Sequence, residues 1–407
     1  MVATKPTLIV VSPFIDKKHG TERRVAEWTS RLTPYFDVHI YSQSVQDLDL
    51  STLTWHRIWK MPGPHLFNFV WWLAANHLCR WWDRRIRGLR QDLTFTAGTN
   101  CLNADAISIH IVFQEFERQV LPELSLARNS FTSWPTIIHR RLYYKLIIFL
   151  ENIMYRDPKA QLILIARKTA IDLDRFYGSH KPMPVVYMGI DHSCFNPQTR
   201  LASRAKTRQE LSIADDQVVL VLVGNDWRKK GLTTLLAALT SIENEKVTLI
   251  VAGSDEKATY EQEVRRLGLG DRVRFMPSRC DVQFYYAAAD VYVGPSLEDT
   301  FAQPPAEAMA CGLPVITTIT NGTAEIITDG VDGLILYEPT NAAILSDQLR
   351  RLIQDPALRE RLGTQAAKTA QNYTWDRNGE EFRKIFSEIL KKKHSGAAPQ
   401  IQALPIP

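Results

Sequence analysis

The sequence is poor in cysteine and has no long apolar run. Its 407 residues contain five cysteines, an odd number with wide spacing and no CxxC pair, which argues against a disulfide framework and a structural zinc site. No stretch approaches the roughly 18 apolar residues that span a bilayer. The apolar run Leu8–Val11 near the start is too short for the core of a signal peptide. We therefore expect a reduced, cytoplasmic protein.

The chain also lacks a strong charge of either sign. Its formal net charge is +5, and the excess is uneven. Residues 1–195 carry 24 bases and 17 acids, whereas residues 196–407 carry 25 bases and 27 acids. The resulting charges of +7 and −2 are too small to indicate a nucleic-acid partner. The basic first half is compatible with an anionic surface or substrate.

Short β-branched runs alternate with helical patterns along the chain. Runs such as Thr7–Val11 and Gln217–Val223 predict strands, and helical stretches such as Leu232–Leu239 lie between them. Valine-rich strands separated by helices indicate parallel sheets that are covered on both faces. The expected fold class is therefore α/β, with two Rossmann-like, doubly wound domains.

One segment, residues 196–215, has little regular apolar pattern and predicts the domain boundary. The expected domains are residues 1–195 and residues 196–375, followed by an amphipathic helix over about 376–390. The tail 391–407 is basic and then rich in Gly, Ala and Pro, so we expect it to be disordered.

A glycine turn lies near the start. The strand Thr7–Val11 leads through a loop with Gly20 into a helix that begins at Thr21. A helix N-terminus at the carboxyl edge of a sheet suits a phosphate or a sugar hydroxyl. The alternative is an ordinary capped helix, since a single glycine is a weak signal.

A basic turn follows the first strand of the second domain. The strand ends at Gly224, and the turn carries Arg228, Lys229 and Lys230 before Gly231 and a helix. Three consecutive cations repel one another, and a bound diphosphate would relieve that repulsion. The alternative is a solvated charge run in a surface loop.

An acidic and proline-rich segment spans residues 295–316. Its loop carries Glu298 and Asp299, and Pro304 with Pro305 suits the first turn of a helix. The amides of Phe301–Gln303, together with the helix dipole, are expected to receive a diphosphate.

The two carboxylates Asp299 and Glu307 are eight positions apart. If both were helical, they would lie about 12 Å apart along the axis, whereas the acid and nucleophile of a retaining hydrolase lie roughly 5–5.5 Å apart. They are therefore interpreted as two separate hydroxyl acceptors on one extended ligand. An acid that stabilises the helix dipole is the alternative for one of them.

The segment from Pro295 to Val315 resembles the signature of the retaining GT-B glycosyltransferases of family 4, which reads roughly P-S-x-x-E-G-F-G-x-x-x-x-E-A-M-A-x-G-x-P-V. Further matches follow in family order. They are Gly20-Thr21-Glu22, Met188-Gly189-Ile190-Asp191, Val223-Gly224, Lys230-Gly231, Asn321-Gly322, Glu325-Ile326-Ile327 and Gly330-Val331-Asp332-Gly333.

The resemblance implies two Rossmann-like domains that face a cleft, with the C-terminal helix packing back on the first domain. It also implies transfer of a hexose-type sugar, with retention, from a UDP- or GDP-sugar to a hydroxyl acceptor. The acceptor would be a glycan, a lipid-linked molecule or a small molecule, as in polysaccharide biosynthesis.

Site roles also follow from the resemblance, residue by residue. Lys230 would neutralise the donor diphosphate, helped by Arg228 or Lys229. Asp299 would hold donor sugar hydroxyls and Glu307 the ribose. In the first domain, Gly20 would face the phosphates or the sugar. The remaining candidates are the amides of Phe301, Ala302 and Gln303 at the phosphates and His110 near the sugar.

Three departures from the family pattern leave alternatives open. Asp299 stands where a glutamate is usual, so the neighbouring Glu298 is a second candidate for the sugar. Thr300 and Ala302 replace common glycines, and Asn225 replaces a common arginine. An impaired nucleotide-sugar-binding scaffold of the same fold is therefore an alternative. A second alternative, an enzyme of another class on the same architecture, is a nucleotide-sugar epimerase.

The expected chemistry needs no metal and no cofactor. Charge grows on the leaving β-phosphate, and fixed cations and dipoles stabilise it. The Asp47-Leu48-Asp49 and Asp172-Leu173-Asp174 segments mimic a metal-binding DxD. The first lies in a weakly matching stretch and the second in a predicted helix.

Aromatic and basic residues are concentrated in residues 55–90. Six of the ten tryptophans lie there, together with five arginines over 80–90. Tryptophan beside arginine suits an interfacial helix on anionic lipid. The hypothesis for this stretch is peripheral contact with a membrane or recognition of a lipid-linked or polysaccharide acceptor. The alternative is a buried helical hairpin with a charged outer face.

Overall fold

A computed structural model of the chain describes residues 5–17, 20–120, 134–178, 182–243 and 246–395. The chain divides into two compact units. Unit 1 comprises Met1–Tyr187 and Asp376–Pro407, and unit 2 comprises Met188–Trp375.

Unit 1 is built on a six-stranded sheet. The sheet has the order β5-β3-β1-β6-β7-β8, and every pairing within it is parallel. Its strands are β1 (Thr7–Val11), β3 (Asp37–Ser42), β5 (Thr54–Arg57), β6 (Leu93–Ala97), β7 (Ala106–Ile109) and β8 (Gln161–Leu164), and β2 (Phe14–Ile15) pairs separately with β4 (Ser44–Val45). The helices are α1 (Gly20–Leu32), α2 (His65–Arg85), α3 (Phe113–Val120), α4 (Trp134–Tyr155) and α5 (Lys168–Tyr177).

Unit 2 repeats this architecture with its own parallel sheet, in the order β11-β10-β9-β12-β13-β14. Its strands are β9 (Val218–Val223), β10 (Val247–Ala252), β11 (Val273–Met276), β12 (Val291–Gly294), β13 (Val315–Thr318) and β14 (Leu334–Leu336). The helices are α6 (Pro197–Glu210), α7 (Leu232–Thr240), α8 (Lys257–Arg266), α9 (Gln283–Ala288), α10 (Gln303–Ala310), α11 (Ala342–Gln354) and α12 (Pro356–Ala370). The predicted α/β class with two Rossmann-like parallel sheets is confirmed.

The last helix, α13 (Trp375–Ser395), completes the core of unit 1. Its Phe382 stacks on Trp28 with ring centroids 5.0 Å apart and meets Phe95 edge-on at 5.8 Å. The helix continues through Lys391–Ser395, where the sequence predicted a disordered tail. Lys393 Nζ holds this end by donating to the Asp92 carbonyl at 2.7 Å and to Asp105 Oδ1 at 2.9 Å. The rest of the predicted tail lies outside the described residues.

The units divide between Tyr187 and Met188, eight positions before the predicted end of the first domain at residue 195. Ile190 forms a parallel bridge with Thr374. A Cβ at Gly189 would lie 2.6 Å from the Trp375 backbone. These contacts place the stretch after Met188 in unit 2.

Helix α6 occupies the segment that lacks an apolar pattern. It packs through arginines instead. Arg204 pairs with Asp290 at 2.5 Å, and Arg208 Nη1 donates to the Ala288 carbonyl at 3.1 Å. Arg200 Nη2 donates to the Ala289 carbonyl at 2.8 Å. These bonds satisfy groups at the end of α9 and the start of β12 that an apolar helix face would leave unpaired.

Residues 55–90 form strand β5, a connection and the single helix α2, so the alternative of a helical hairpin is wrong. Across the ranges that the structure describes, no helix combines the length and the apolar character needed to cross a membrane.

The docking of α13 predicts a large effect of Phe382→Ala. Phe382 is fully buried, so its truncation should lower the free energy of unfolding of unit 1 by about 3–5 kcal/mol. Urea unfolding followed by fluorescence measures this. Phe149 in the same unit is 60% exposed, and Phe149→Ala is the matched control with an expected change of about 0.5 kcal/mol or less. Equal shifts of the two midpoints would contradict the docking.

Candidate active site

The basic turn after β9 has a constrained backbone. Gly224, Asp226 and Gly231 all have positive φ, of 131°, 58° and 77°. A side chain at Gly231 would collide with the Pro295 carbonyl. Asp255, which follows β10, accepts the amides of Asp226 at 2.9 Å and of Trp227 at 2.6 Å. The turn is therefore held by the neighbouring strand's loop and by the segment that follows β12.

Lys230 extends from this turn to the acidic loop, residues 295–302 between β12 and α10. Its Nζ lies 2.6 Å from Asp299 Oδ2, and both side chains are largely buried. Its stem passes Gly224, where a Cβ would lie 3.1 Å from Lys230 Cε. The amide of Leu297 also donates to the Lys229 carbonyl at 2.7 Å. Two segments that are 69 positions apart thus meet at the carboxyl edge of the sheet, because β9 and β12 are neighbours in it.

The other two cations of the turn lie differently. Lys229 Nζ is 3.6 Å from Asp226 Oδ2, and Arg228 is exposed. The carboxylates of Asp226 and Asp299 therefore relieve part of the repulsion among the three cations. The sequence analysis expected a bound diphosphate to relieve it.

Asn321 holds the acidic loop in place. Its side chain is fully buried. Its Oδ1 accepts the amides of Ala302 at 3.2 Å and Thr323 at 3.1 Å, and its Nδ2 donates to Thr317 Oγ1 at 3.1 Å. The Asp299 amide donates to the Thr320 carbonyl at 3.2 Å. Asn321 belongs to the motif Asn321-Gly322, but the sequence reasoning assigned it no role.

The Ala302 amide is therefore not arranged as predicted. It is bonded to Asn321, and the Ala302 carbonyl accepts Thr323 Oγ1 at 2.5 Å. The side chains of Phe301 and Ala302 are buried. Of the predicted diphosphate amides, the one at Ala302 serves the loop itself, whereas Gln303 is the first residue of α10, where a helix directs its N–H groups outward.

Glu307 lies in α10 and is buried. Its Oε2 accepts Tyr286 Oη at 3.2 Å. The buried Tyr292 is near both acids of the site: burial raises its pKa, and the charges of Asp299 and Glu307 raise it further. The structure thus gathers Lys230, Asp299 and Glu307 at one edge of unit 2, with the half-buried Glu298 adjacent to Asp299 in the loop.

Two predicted residues lie in unit 1. Gly20 is the exposed first residue of α1, and a Cβ there would meet nothing within 4 Å. His110 follows β7 and lines a cavity of about 170 Å³ together with Thr21, Phe69 and Tyr143. Thr21 Oγ1 is 3.4 Å from His110 Nδ1. Gly20 and His110 are therefore linked through Thr21.

The His110 ring is electrically neutral near pH 7. Burial lowers its pKa well below the ordinary value of 6.5, and the charge of the buried Arg24 lowers it further. Its Nε2 has no hydrogen-bond partner among the described residues. A neutral ring that lines a cavity can donate or accept one hydrogen bond with a ligand hydroxyl.

Within the described ranges, no group of three or more His, Cys, Asp or Glu side chains is placed to hold a metal ion. Asp172 and Asp174 lie in α5, and Asp49 Oδ1 accepts the backbone and hydroxyl of Ser51 at 2.9 and 2.7 Å.

Comparison with known proteins identifies relatives of unit 2 and of the whole fold. Residues 203–369 match the family model described as "Glycosyl transferases group 1". The chain is 28% identical to a D-inositol 3-phosphate glycosyltransferase of Xylanimonas cellulosilytica over 241 residues, which are 57% of this chain and 58% of that relative. The chain therefore spans little more than half of this curated relative's length.

Two solved structures share the fold over nearly the whole chain. WaaG, "a glycosyltransferase involved in lipopolysaccharide biosynthesis", has a TM-score of 0.74 and 21% identity, covering 93% of this chain and 99% of that one. Anabaena Alr3699/HepE in complex with UDP-glucose has a TM-score of 0.68 and 18% identity, covering 94% and 99%. At these identities the likeness concerns the fold.

The role of Asn321 predicts loss of loop order in Asn321→Ala. That variant leaves the amides of Ala302 and Thr323 without their acceptor, at a cost of about 1–3 kcal/mol for each unsatisfied group. The urea midpoint of unit 2 should fall accordingly. Asn341→Ala, which removes an exposed helix cap that accepts the Ile344 amide at 3.1 Å, is the control with about 1 kcal/mol expected. A smaller effect at Asn321 than at Asn341 would refute the assignment.

The burial of His110 lowers its pKa and predicts that its ring stays neutral at pH values at which an ordinary histidine becomes protonated. In ¹⁵N NMR of the histidine rings, the His110 resonance is the one that disappears in His110→Ala. It should keep the chemical shift of a neutral ring over the pH range in which an unstructured histidine, with a pKa near 6.5, becomes protonated. Because its folded pKa lies below the unfolded value, the stability that this group contributes is present above pH 6.5 and is lost as the pH falls. A ring that titrates near 6.5 in the folded protein would disprove this description.

Proposed function

We propose, from the premise that residues 203–369 form a domain of the glycosyl transferases group 1 family, that this chain is a retaining glycosyltransferase. It transfers a hexose-type sugar from a nucleoside-diphosphate sugar to a hydroxyl of a glycan, a lipid-linked molecule or a small molecule. The observation that carries the proposal is the Lys230–Asp299 pair at 2.6 Å, which joins a basic turn to an acidic loop at the carboxyl edge of a parallel sheet. Ligands of open α/β sheets bind at this edge.

In this proposal the donor diphosphate lies against the basic turn. Lys230 turns from Asp299 towards the β-phosphate, and Arg228 and Lys229 add positive charge. The N-terminus of α10 at Gln303 faces the same anion with its helix dipole. The complex of Alr3699/HepE with UDP-glucose supports a uridine donor, and a GDP-sugar is the alternative.

The acids of the site bind different parts of the donor. Asp299, with Glu298 beside it, accepts hydrogen bonds from sugar hydroxyls. Glu307, oriented by Tyr286, accepts those of the ribose. In unit 1, Gly20 contacts the phosphates or the sugar, and the neutral His110 contacts the sugar. The acceptor hydroxyl also binds in this unit.

The reaction requires charge stabilisation and no enzymic nucleophile. The acceptor oxygen attacks the anomeric carbon from the face that the diphosphate leaves, so the bond to the β-phosphate oxygen breaks as the new glycosidic bond forms. The acceptor proton passes to the departing phosphate. Lys230 and its neighbours stabilise the growing negative charge without a metal or a cofactor.

The proposal also places the protein in the cytoplasm, in peripheral contact with an anionic membrane through residues 55–90. The direct test of the activity is incubation with UDP- and GDP-sugars, with and without hydroxyl acceptors, followed by NMR of the anomeric proton. Transfer with the donor's anomeric configuration supports the proposal. Release of an epimer without acceptor would indicate the epimerase, and binding without turnover of any donor would indicate the scaffold.

The position of Lys230 predicts that Lys230→Ala lowers turnover by at least 100-fold, roughly what removal of one transition-state charge costs. Initial rates of nucleoside-diphosphate release measure this. Lys246→Ala removes an exposed lysine of the same unit that pairs with Asp216 at 2.7 Å, and it should keep the wild-type rate. Thermal unfolding midpoints separate loss of chemistry from loss of folding. Near-normal turnover of a folded Lys230→Ala protein would refute its role.

A further inference from the structure

Helix α2 has its polarity reversed relative to an ordinary surface helix. Its five buried positions are the apolar Trp72 and Ala75 and the polar Asn76, Arg80 and Asp83. Its exposed positions carry large apolar side chains, which are Phe67, Val70, Trp71, Leu78, Trp81 and Trp82, and Ile86 follows at the C-cap. A surface helix of a soluble domain normally shows the opposite arrangement.

Each buried polar side chain of α2 makes at least one hydrogen bond, and Asn76 Oδ1 and Arg80 Nε and Nη1 have no partner among the described residues. Asp83 Oδ2 accepts Tyr41 Oη at 2.7 Å and lies 2.9 Å from His56 Nδ1. Asn76 Nδ2 donates to the Trp72 carbonyl at 2.8 Å, and Arg80 Nη2 donates to Asn103 Oδ1 at 2.9 Å. The bonds of Asp83 and Arg80 to other elements, together with the buried Trp72 and Ala75, hold this face of the helix against unit 1. The apolar face is exposed as a consequence.

The surroundings of this face are cationic. Residues 55–90 contain seven Lys or Arg and one acid, Asp83. Asp83 and Arg80 are buried, which leaves six exposed basic side chains. Arg84 and Arg85 lie in the last turn of the helix. Arg57 stacks on Trp59, with its guanidinium 5.2 Å from the ring centroid.

A groove between β5 and α2 has both apolar and basic side chains in its lining. It encloses about 540 Å³, and its lining includes the apolar Ile58, Leu78 and Trp82, the basic Arg57, and Arg87 paired with Asp83 at 3.0 Å. Apolar walls with cations at the edge match an amphiphile whose head group is anionic.

We propose that the exposed face of α2, with this groove, is the docking surface for an anionic phospholipid bilayer. The helix lies in the plane of the interface, with its tryptophans and Leu78 inserted and its arginines at the lipid phosphates. A second copy of the chain is disfavoured as the occupant, because it would bring Arg84 and Arg85 against the same cations. This inference rests on the membrane contact in the proposed function and names the helix face and the lipid charge that mediate it.

The test is flotation of the full chain with vesicles of phosphatidylcholine alone and with an equal part of phosphatidylglycerol. Wild-type protein should float with the anionic vesicles only, and raised salt should weaken this. Trp71→Ser combined with Trp81→Ser, and Arg84→Glu combined with Arg85→Glu, should each reduce the bound fraction at least tenfold. The controls are Ile171→Ser, a 70% exposed residue of the same unit, and Arg361→Glu on α12, and both should float as wild type does.

Donor turnover with a water-soluble acceptor is measured on the same preparations. Loss of flotation with unchanged turnover supports the docking surface and separates it from the catalytic site. Absence of turnover in every protein would refute the proposed function while leaving the vesicle result to be judged by itself. Equal flotation of the wild type and both double variants would overturn the inference. So would a wild-type protein that never floats and instead forms a concentration-dependent dimer that the tryptophan variant abolishes.

Discussion

The pairing of Lys230 with Asp299 is the interaction on which the site in unit 2 depends. Desolvation of both charges offsets the attraction within a largely buried ion pair, so stability alone gives little reason to place three cations in one turn. The pair instead holds a lysine amine beside the acidic loop. A phosphate group offers that amine a second anionic partner, and an ammonium group on a flexible stem can move between the two.

The backbone around that pair is arranged to keep it in place. Gly231 allows the basic turn to pass against Pro295, where no side chain would fit. Asn321 bonds to the acidic loop at Ala302 and to its own turn at Thr323. These uncharged contacts are fully buried and directional, so they hold the charged side chains at the sheet edge more firmly than the ion pair could.

Unit 1 uses its side chains differently. Its core is closed by aromatic rings of α13, which come from the far end of the sequence. Phe382 stacks on Trp28 and meets Phe95 edge-on. On another side, α2 turns its polar groups inward to Tyr41 and His56. The same unit thus holds a neutral histidine that lines a small cavity and an apolar, cationic surface that is suited to lipid.

The sequence by itself determined the two parallel sheets, because buried strands need consecutive β-branched residues and the helices between them have a different period. It also determined the residue types at the site, since Pro304, Lys230 and Asp299 are recognisable by motif. Only the tertiary structure decided which groups meet. The Ala302 amide is bonded to Asn321, and α6 packs through arginines, because hydrogen-bond partners are chosen by distance in space. The reversed face of α2 was decided there too: periodicity shows that a helix has two faces, whereas the buried partners of Asp83 select the one that points inward.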